Sequence, residues 1–195
     1  MHPATYLWHK VDEPAFTLVL RTFGYSAGLL LVSLSVATIL GVTLGLTMAR
    51  SRSRVASAFT LLLSVIGVST PSFLLAMLFW ILNIQIHRRF DVPALPPTGF
   101  GWDLHLVMPA LVLAMRPLAQ IAQVTYVTLS EVMAQDYVRT AQAKGLTPRL
   151  LLLRHAVPNI AVPVLTTLGT SMRFSLASLP VVEFFFLWPG VGLVL

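Results

Sequence analysis

Four long stretches with few or no charged residues constrain the fold of this 195-residue chain more than any other feature. They cover residues 22–49, 55–86, 106–130 and 156–188, and the charges inside them are Arg116, Arg173 and Glu183. Each stretch exceeds the roughly 20 residues that an α-helix needs to cross the hydrocarbon core of a bilayer. Polar and apolar residues do not alternate along them, so they fit helices and not the strands of a membrane barrel. The sequence therefore predicts an all-α fold, a polytopic membrane helix bundle.

The overall composition supports this prediction and excludes several classes of function. Only 10% of the residues are charged, whereas soluble domains carry about 25%. The sequence has no cysteine, which excludes disulfides and thiolate metal sites. It also lacks the Gly-xxxx-Gly-Lys-Ser/Thr loop that cradles nucleotide phosphates. We therefore expect no enzymatic activity, no catalytic residue, no metal and no cofactor.

The net charge of +6 is concentrated in two connections between the apolar stretches. The first and third connections hold the basic residues Arg50, Arg52, Arg54, Arg139, Lys144, Arg149 and Arg154. In the second connection, Arg88 and Arg89 are offset by Asp91 and Asp103. Because cytoplasmic loops carry an excess of Lys and Arg, we expect residues 131–158 in the cytoplasm. The second connection and an N-terminal tail, residues 1–15, are then external, and this distribution argues against a nucleic-acid partner.

Glycine and proline give the first two stretches their local features. Gly41 and Gly45 have the small-xxx-small spacing that lets helix backbones approach. This spacing predicts helix packing within the chain, with a dimer face as the alternative. Pro71 lies in the middle of the second stretch, where it frees a backbone carbonyl and bends a helix. The surrounding residues then form either a kinked packing helix or a bend that lines a pathway, with Ser69, Pro71 and Phe73 as candidate pathway residues.

Arg116 and Arg173 lie near the middle of their apolar stretches, whereas Glu183 is expected close to the outer face. An ionisable residue at mid-membrane costs at least about 2.5–3.5 kcal/mol on insertion scales and is a functional candidate for that reason. One hypothesis is that the two arginines line a translocation cavity and attract an anionic group such as a carboxylate. The alternative is that the two arginines act separately and line no cavity. Arg173 would then bond to backbone carbonyls, and Arg116 would extend its head group towards the interface.

A polar segment, Asp136-Tyr-Val-Arg-Thr-Ala-Gln-Ala-Lys-Gly-Leu146, separates the last two apolar stretches. Good helix formers over residues 131–142 predict a helix, and Gly145 suits the left-handed position just past its end. Thr147 and Pro148 then fit the N-cap and first position of a second helix. The pattern thus predicts helix, sharp turn, helix. Its small and charged surface could enter a groove on a soluble partner or lie as an amphipathic loop on the membrane.

This segment, followed by His155-Ala-Val-Pro-Asn159, resembles the cytoplasmic signature of binding-protein-dependent ABC transporter permeases, in particular the dipeptide, oligopeptide and nickel branch. The broad family pattern is Glu-Ala-Ala, three residues, Gly, nine residues, Ile, one residue, Leu-Pro. Arg139 and His155 replace its Glu and Ile, as in the peptide branch. The resemblance covers about residues 20–195. Its domain, residues 16–195 here, is expected to hold about four to five helices and to be incomplete at both ends.

The resemblance implies that the polar segment is a coupling helix, which docks on a separate ATP-binding subunit. The residues that would dock are Asp136, Tyr137, Arg139, Thr140, Ala141, Ala143, Lys144, Gly145, Leu146 and Pro158. The implied function is that of the transmembrane subunit of an ABC importer for peptides or similar small solutes, in a bacterial or archaeal cytoplasmic membrane. The implied partners are ATP-binding subunits, a second permease subunit, an extracytoplasmic solute-binding protein and membrane lipid.

Two other classes of function remain compatible with the residues themselves. One is an ion-coupled transporter or channel subunit, for which acidic residues or broken helices at mid-depth are expected; Glu183 is the acidic candidate, and it is expected too near the surface. The other is a membrane scaffold without a pathway, which would leave Arg116 and Arg173 unexplained. The identity of the solute does not follow from the sequence.

Overall fold

The structure, a computed structural model, describes residues 15–51, 53–91, 94–143, 145, 147–151 and 157–194. Over these ranges the chain is helical between its loops and contains no strand, which confirms the predicted all-α fold. The helices are α1 Ala15–Ser51, α2 Arg54–Ser69, α3 Ser72–Phe90, α4 Val107–Ala134, α5 Asp136–Ala143, α6 Pro148–Leu151, α7 Val157–Phe186 and α8 Val191–Val194, with a short 3-10 helix at Leu104–Leu106. The predicted external tail lies almost wholly outside the described residues.

Three segments of the described chain are long and apolar enough to cross a membrane: Phe16–Ser51, Leu104–Ala134 and Val157–Phe186. The pair α2 and α3 adds a fourth if it is counted as one bent span. These helices are those of a multi-pass membrane protein.

The second apolar stretch is broken rather than kinked. Pro71 has an extended backbone, with φ −61° and ψ 145°, and its carbonyl accepts the first hydrogen bond of α3 from the Leu75 amide at 3.1 Å. Proline offers no N–H and forces the residue before it out of the helical conformation. The bend predicted at Pro71 is therefore a complete break between two helices, α2 and α3, and a role of this break in lining a pathway stays a prediction.

A second break separates α4 from α5, where the sequence predicts one helix over residues 131–142. The turn at Gln135 is closed by two hydrogen bonds, from the Gln135 amide to the Val132 carbonyl at 3.2 Å and from the Val138 amide to the Gln135 carbonyl at 3.1 Å. Val132 and Val138 are both buried, yet six residues along a straight helix would separate their directions by about 120°. The break lets both side chains reach the same core.

The chain divides into two units, each with its own buried side chains. The described part of the first unit consists of residues 15–34, 70–91, 94–114 and 174–194. Its buried side chains include Leu29, Leu75, Met108, Phe186 and Trp188.

Within this first unit, the connection over residues 94–106 is irregular, with bends at residues 98–99 and 102–103 and the 3-10 helix at its end, which is typical of a segment rich in proline and glycine. The Asn83 side chain donates to the Leu95 carbonyl at 2.9 Å and accepts from the Leu95 amide at 3.0 Å. The Trp80 indole donates to the Pro97 carbonyl at 3.1 Å.

The described part of the second unit consists of residues 35–51, 53–69, 115–143, 145, 147–151 and 157–173. Here α1 crosses α4 at close range through Gly41 and Gly45. A Cβ atom on Gly41 would lie 2.9 Å from the Leu118 carbonyl oxygen, and one on Gly45 would lie 2.6 Å from the Ala122 carbonyl oxygen. These two glycines face another helix of the same chain, which confirms the prediction of helix packing.

Candidate functional site

Among the side chains of the two-turn helix α5 that the structure describes, the buried one is apolar. Val138 is fully buried in a core of the second unit that consists of Ile121, Leu129, Val132, Val138, Leu151, Ile160 and Val164. A helix of eight residues is not stable by itself in water. Burial of a valine side chain contributes about 1.5–3 kcal/mol, so Val138 fixes α5 to its neighbours on α4, α6 and α7.

The other face of α5 is exposed and carries small or polar side chains. Asp136 begins the helix, where its negative charge interacts favourably with the helix dipole. Thr140 donates its hydroxyl to the Asp136 carbonyl at 3.0 Å. Tyr137 is 45% exposed, and its phenol oxygen lies 3.5 Å from the Asn159 side-chain nitrogen at the start of α7. Ala143 is exposed at the last position.

A left-handed glycine ends this element, as the sequence predicts. Gly145 has a φ of +81°, and within the described part of the chain, its two chain neighbours aside, no atom lies within 4 Å of a Cβ atom built on it. The following helix α6 begins at Pro148, and the Thr147 carbonyl accepts its first hydrogen bond from the Leu151 amide at 3.0 Å. The fully buried Leu151 joins the same core as Val138. The predicted arrangement of helix, sharp turn and helix is confirmed.

Comparison with known protein families identifies the family to which these helices belong. The family described as "Binding-protein-dependent transport system inner membrane component" matches residues 41–195. The chain belongs to this family. The match includes the whole of α5, the glycine turn and α6, together with the long helices α4 and α7 that contribute to their core.

Individual members of this permease family are similar over most of the chain. The "Dipeptide transport system permease protein DppB" of Bacillus subtilis is 35% identical over 183 residues, which are 94% of this chain and 58% of that protein. The "Glutathione transport system permease protein GsiC" of Pectobacterium atrosepticum is 35% identical over 163 residues, which are 84% of this chain and 52% of that protein. The chain thus spans between half and three fifths of the length of these relatives.

The structure describes the side chains of some candidate docking residues, only the backbone of others, and leaves two outside the described ranges. Asp136, Tyr137, Thr140, Ala143 and Gly145 form the exposed side of α5 and its turn. Pro158 is exposed at the second position of α7. The backbones of Arg139 and Ala141 lie within α5, whereas Lys144 and Leu146 lie outside the described residues.

The candidate pathway residues are described one by one. Ser69, Pro71 and Phe73 are exposed at and beside the break between α2 and α3. The side chain of Arg116 is half-buried in α4, and that of Arg173 is exposed on α7. A translocation cavity lined by these two arginines stays a prediction.

Residue Glu183 is buried and hydrogen-bonded to distant parts of the chain, which its expected position near the outer face does not indicate. Its side chain is fully buried, and its carboxylate accepts from the Ser26 hydroxyl at 2.5 Å and from the Gly192 amide at 2.7 Å. Ser26 is 157 positions away in the sequence, and no local pattern links the two. The closely spaced Gly190 and Gly192 were the available signal, because glycine often marks a place where another group approaches the backbone.

Hydrogen bonds between Asp103 and His105 fix the end of the loop over residues 94–106. The Asp103 carboxylate accepts from the His105 amide at 3.1 Å, and the His105 Nδ1 atom lies 2.7 Å from the same oxygen. The hydrogen bonds to His105 hold the pKa of Asp103 below its ordinary value of 3.8, because they stabilise the ionised carboxylate.

Proposed function

We propose that this chain is a transmembrane subunit of an ABC importer for peptides or similar small solutes, and that α5 is its coupling helix. The observation that carries the proposal is that α5 has one side buried against the membrane helices and one side exposed. One side is fixed in the membrane domain through Val138. The other presents exposed small and polar residues, as a surface that enters a cleft on a soluble subunit requires. Membership of the permease family supports this assignment.

The proposed complex contains further components. ATP-binding subunits would receive α5, and a second permease subunit would complete the pathway. An extracytoplasmic solute-binding protein would deliver the solute. The basic residues of the first and third connections support a cytoplasmic position for residues 131–158 and an external N-terminus.

The buried side of α5 explains how movement of a soluble subunit could reach the spans. Val138 belongs to the same core as Leu129 on α4 and Ile160 on α7. Closely packed interiors transmit displacement because they have low compressibility. When the ATP-binding subunits close, a shift of α5 would therefore displace the ends of α4 and α7. Such coupling acts on a two-state element that a remote ligand biases.

Site-directed crosslinking tests this proposal with a matched pair of variants. Thr140 and Thr166 are both exposed helical threonines that donate to the carbonyl four residues earlier, at 3.0 Å in each case. The sequence has no cysteine, so Thr140→Cys and Thr166→Cys each introduce the chain's only thiol. In the assembled transporter, we expect the cysteine at 140 to crosslink to the ATP-binding subunit and the cysteine at 166 to remain unlinked.

Uptake of a labelled dipeptide by proteoliposomes provides the functional readout. The crosslink through position 140 should stop ATP-dependent uptake, and reduction of the crosslink should restore it. Equal crosslinking at the two positions would contradict the assignment of α5. Uptake that needs no ATP-binding subunit would instead favour an ion-coupled transporter, and a complex that moves no solute would favour a scaffold.

A further inference from the structure

Three hydrogen-bond donors converge on the side chains of two residues, Glu183 and Ser26, inside the first unit. The Ser26 hydroxyl on α1 donates to one carboxylate oxygen of Glu183, and the Gly192 amide donates to the other. The Val191 amide donates to the Ser26 oxygen at 2.9 Å. Glu183, Ser26, Val191 and Gly192, the Glu183 cluster, therefore join α7 to α1 and to the segment that follows α7.

The backbone around the Glu183 cluster leaves no space for larger residues. A Cβ atom on Gly190 would lie 2.0 Å from a Glu183 carboxylate oxygen, and one on Gly192 would lie 2.3 Å from the Pro180 Cα atom. The Trp188 amide also donates to the Glu183 carbonyl at 2.9 Å. The segment 188–194 is thus folded back tightly onto the end of α7.

Aromatic contacts extend this arrangement to the loop over residues 94–106. Trp188 is fully buried and packs edge-to-face against Trp102 and Phe100, with ring centroids 5.7 and 4.9 Å apart. Its indole donates to the Tyr25 carbonyl on α1 at 3.3 Å. Trp102 in turn lies over Gly28, where a Cβ atom would overlap its ring. Four separate parts of the unit therefore meet at Trp188 and Glu183.

A carboxylate buried between apolar helices costs desolvation free energy. Well-packed apolar residues of similar volume often give equal or greater stability, and an ionisable residue inside a membrane span is a functional candidate by default. The carboxylate differs from an apolar cluster in one respect. Its two oxygens accept bonds with narrow geometry from two different elements, so it specifies one arrangement of α1, α7 and segment 188–194.

We propose that Glu183 is a positioning residue that holds α1, the loop 94–103 and segment 188–194 as one rigid closure at the external end of the membrane domain. This inference rests on the proposed function and on the topology that places the second connection outside. The closure keeps the pathway shut at this end until the ATP-binding subunits drive a transition. Loss of the Glu183 cluster lets the end open without that drive, so ATP is hydrolysed with less solute carried.

Three substitutions separate this role from a general contribution to folding. Glu183→Leu removes both acceptors, whereas Glu183→Gln can still accept from the Gly192 amide and donate to the Ser26 oxygen. Ser26→Ala removes the hydroxyl that joins α1 to the cluster. The matched control is Ser33→Ala, because Ser33 is equally buried on α1 and donates to the Leu30 carbonyl of its own helix, at 2.8 Å.

The measurement is the ratio of solute taken up to ATP hydrolysed by the assembled transporter in proteoliposomes. We expect Glu183→Leu and Ser26→Ala to lower this ratio about tenfold, the factor that about 1.4 kcal/mol produces in a two-state equilibrium. Glu183→Gln should stay within about twofold, since one hydrogen-bonded arrangement is kept. Ser33→Ala should match the unaltered protein. Uptake and hydrolysis falling in proportion, or equal effects of the two serine changes, would overturn the proposal.

Tryptophan emission of the purified complex tests the closure without any transport assay. Glu183→Leu and Ser26→Ala should shift the emission of Trp188 to longer wavelength as water reaches it, and the shift should disappear when Trp188→Phe is added. If the unaltered complex carries no solute with ATP, the proposed function fails while this result still reports on the closure. If the emission of both variants is unchanged, the positioning role fails whatever the transport result.

Discussion

Substitutions at Gly145 test whether the left-handed turn after α5 sets the position of the coupling helix. The backbone φ of this residue is +81°, and among the described residues, apart from its chain neighbours, nothing lies within 4 Å of a Cβ atom there. The described surroundings therefore leave space for a side chain, and the backbone conformation is the main physical cause of any effect.

The expected size of the effect follows from the cost of the left-handed conformation. An ordinary L-residue loses about 1–2 kcal/mol there relative to glycine, so Gly145→Ala should lower the equilibrium ratio of correctly placed to misplaced α5 by a factor of roughly 5–30. Asparagine tolerates this conformation and should cost less, whereas a β-branched residue is strongly disfavoured. The predicted order of activity is Gly, then Asn, then Ala, then Val.

The assay is ATP-dependent solute uptake by the assembled transporter, measured with the amount of ATP-binding subunit that copurifies. Gly169→Ala is the control, because Gly169 lies within α7 with open space around its Cβ position and without a positive φ. Alanine in a helix interior is favoured over glycine by about 0.5–1 kcal/mol, so that variant should keep full activity. An order that follows side-chain size, with Asn below Ala, would refute the backbone argument.

Three further perturbations have defined outcomes. Gly45→Ala should lower the thermal midpoint by an amount corresponding to about 1–3 kcal/mol, as overpacking does. Gly24→Ala, inside α1 with no described neighbour within 4 Å, should instead keep the midpoint or raise it slightly, because alanine is favoured over glycine in a helix interior. Val138→Ala removes two methyl groups and about 1.6 kcal/mol of transfer free energy, so limited proteolysis should cut α5 faster while the long helices stay protected. Because the pKa of Asp103 is lowered by its bonds to His105, its stabilisation of the loop is fully present above about pH 4 and is lost as pH falls through the lowered pKa. The side-chain carboxyl resonance of Asp103, followed by NMR, should report a pKa below the ordinary value of 3.8; a carboxyl that titrates above that value would contradict this assignment.

Local chemistry explains why some features of the fold were predictable. Apolar stretches longer than a bilayer is thick can only be helices, and Gly145 followed by Pro148 signals the end of one helix and the start of the next. Gly41 and Gly45 were predictable as a packing site from their spacing alone. Each of these signals lies within a few residues of the structure that it specifies.

The features that sequence reasoning missed depend on contacts between distant parts of the chain. The break at Gln135 follows from the burial of Val132 and Val138 in one core, and the good helix formers around it give no warning. The bond between Ser26 and Glu183 joins residues 157 positions apart, so its existence depends on how α1 and α7 pack. Pro71 signalled a bend, but its extent depends on the tertiary contacts of the two helices on either side.

The side chain of Asn83 constrains where the loop that follows α3 can change in length during evolution. Its amide both donates to and accepts from the backbone of Leu95, so the chain between the two residues forms a closed ring. Residues added inside this ring destabilise the fold only slightly, because each doubling of loop length raises the free energy of loop closure by only about 0.6 kcal/mol. An insertion after Leu95 would instead displace Pro97 from Trp80. Homologous permeases should therefore vary in length before Leu95 and hold the spacing constant after it.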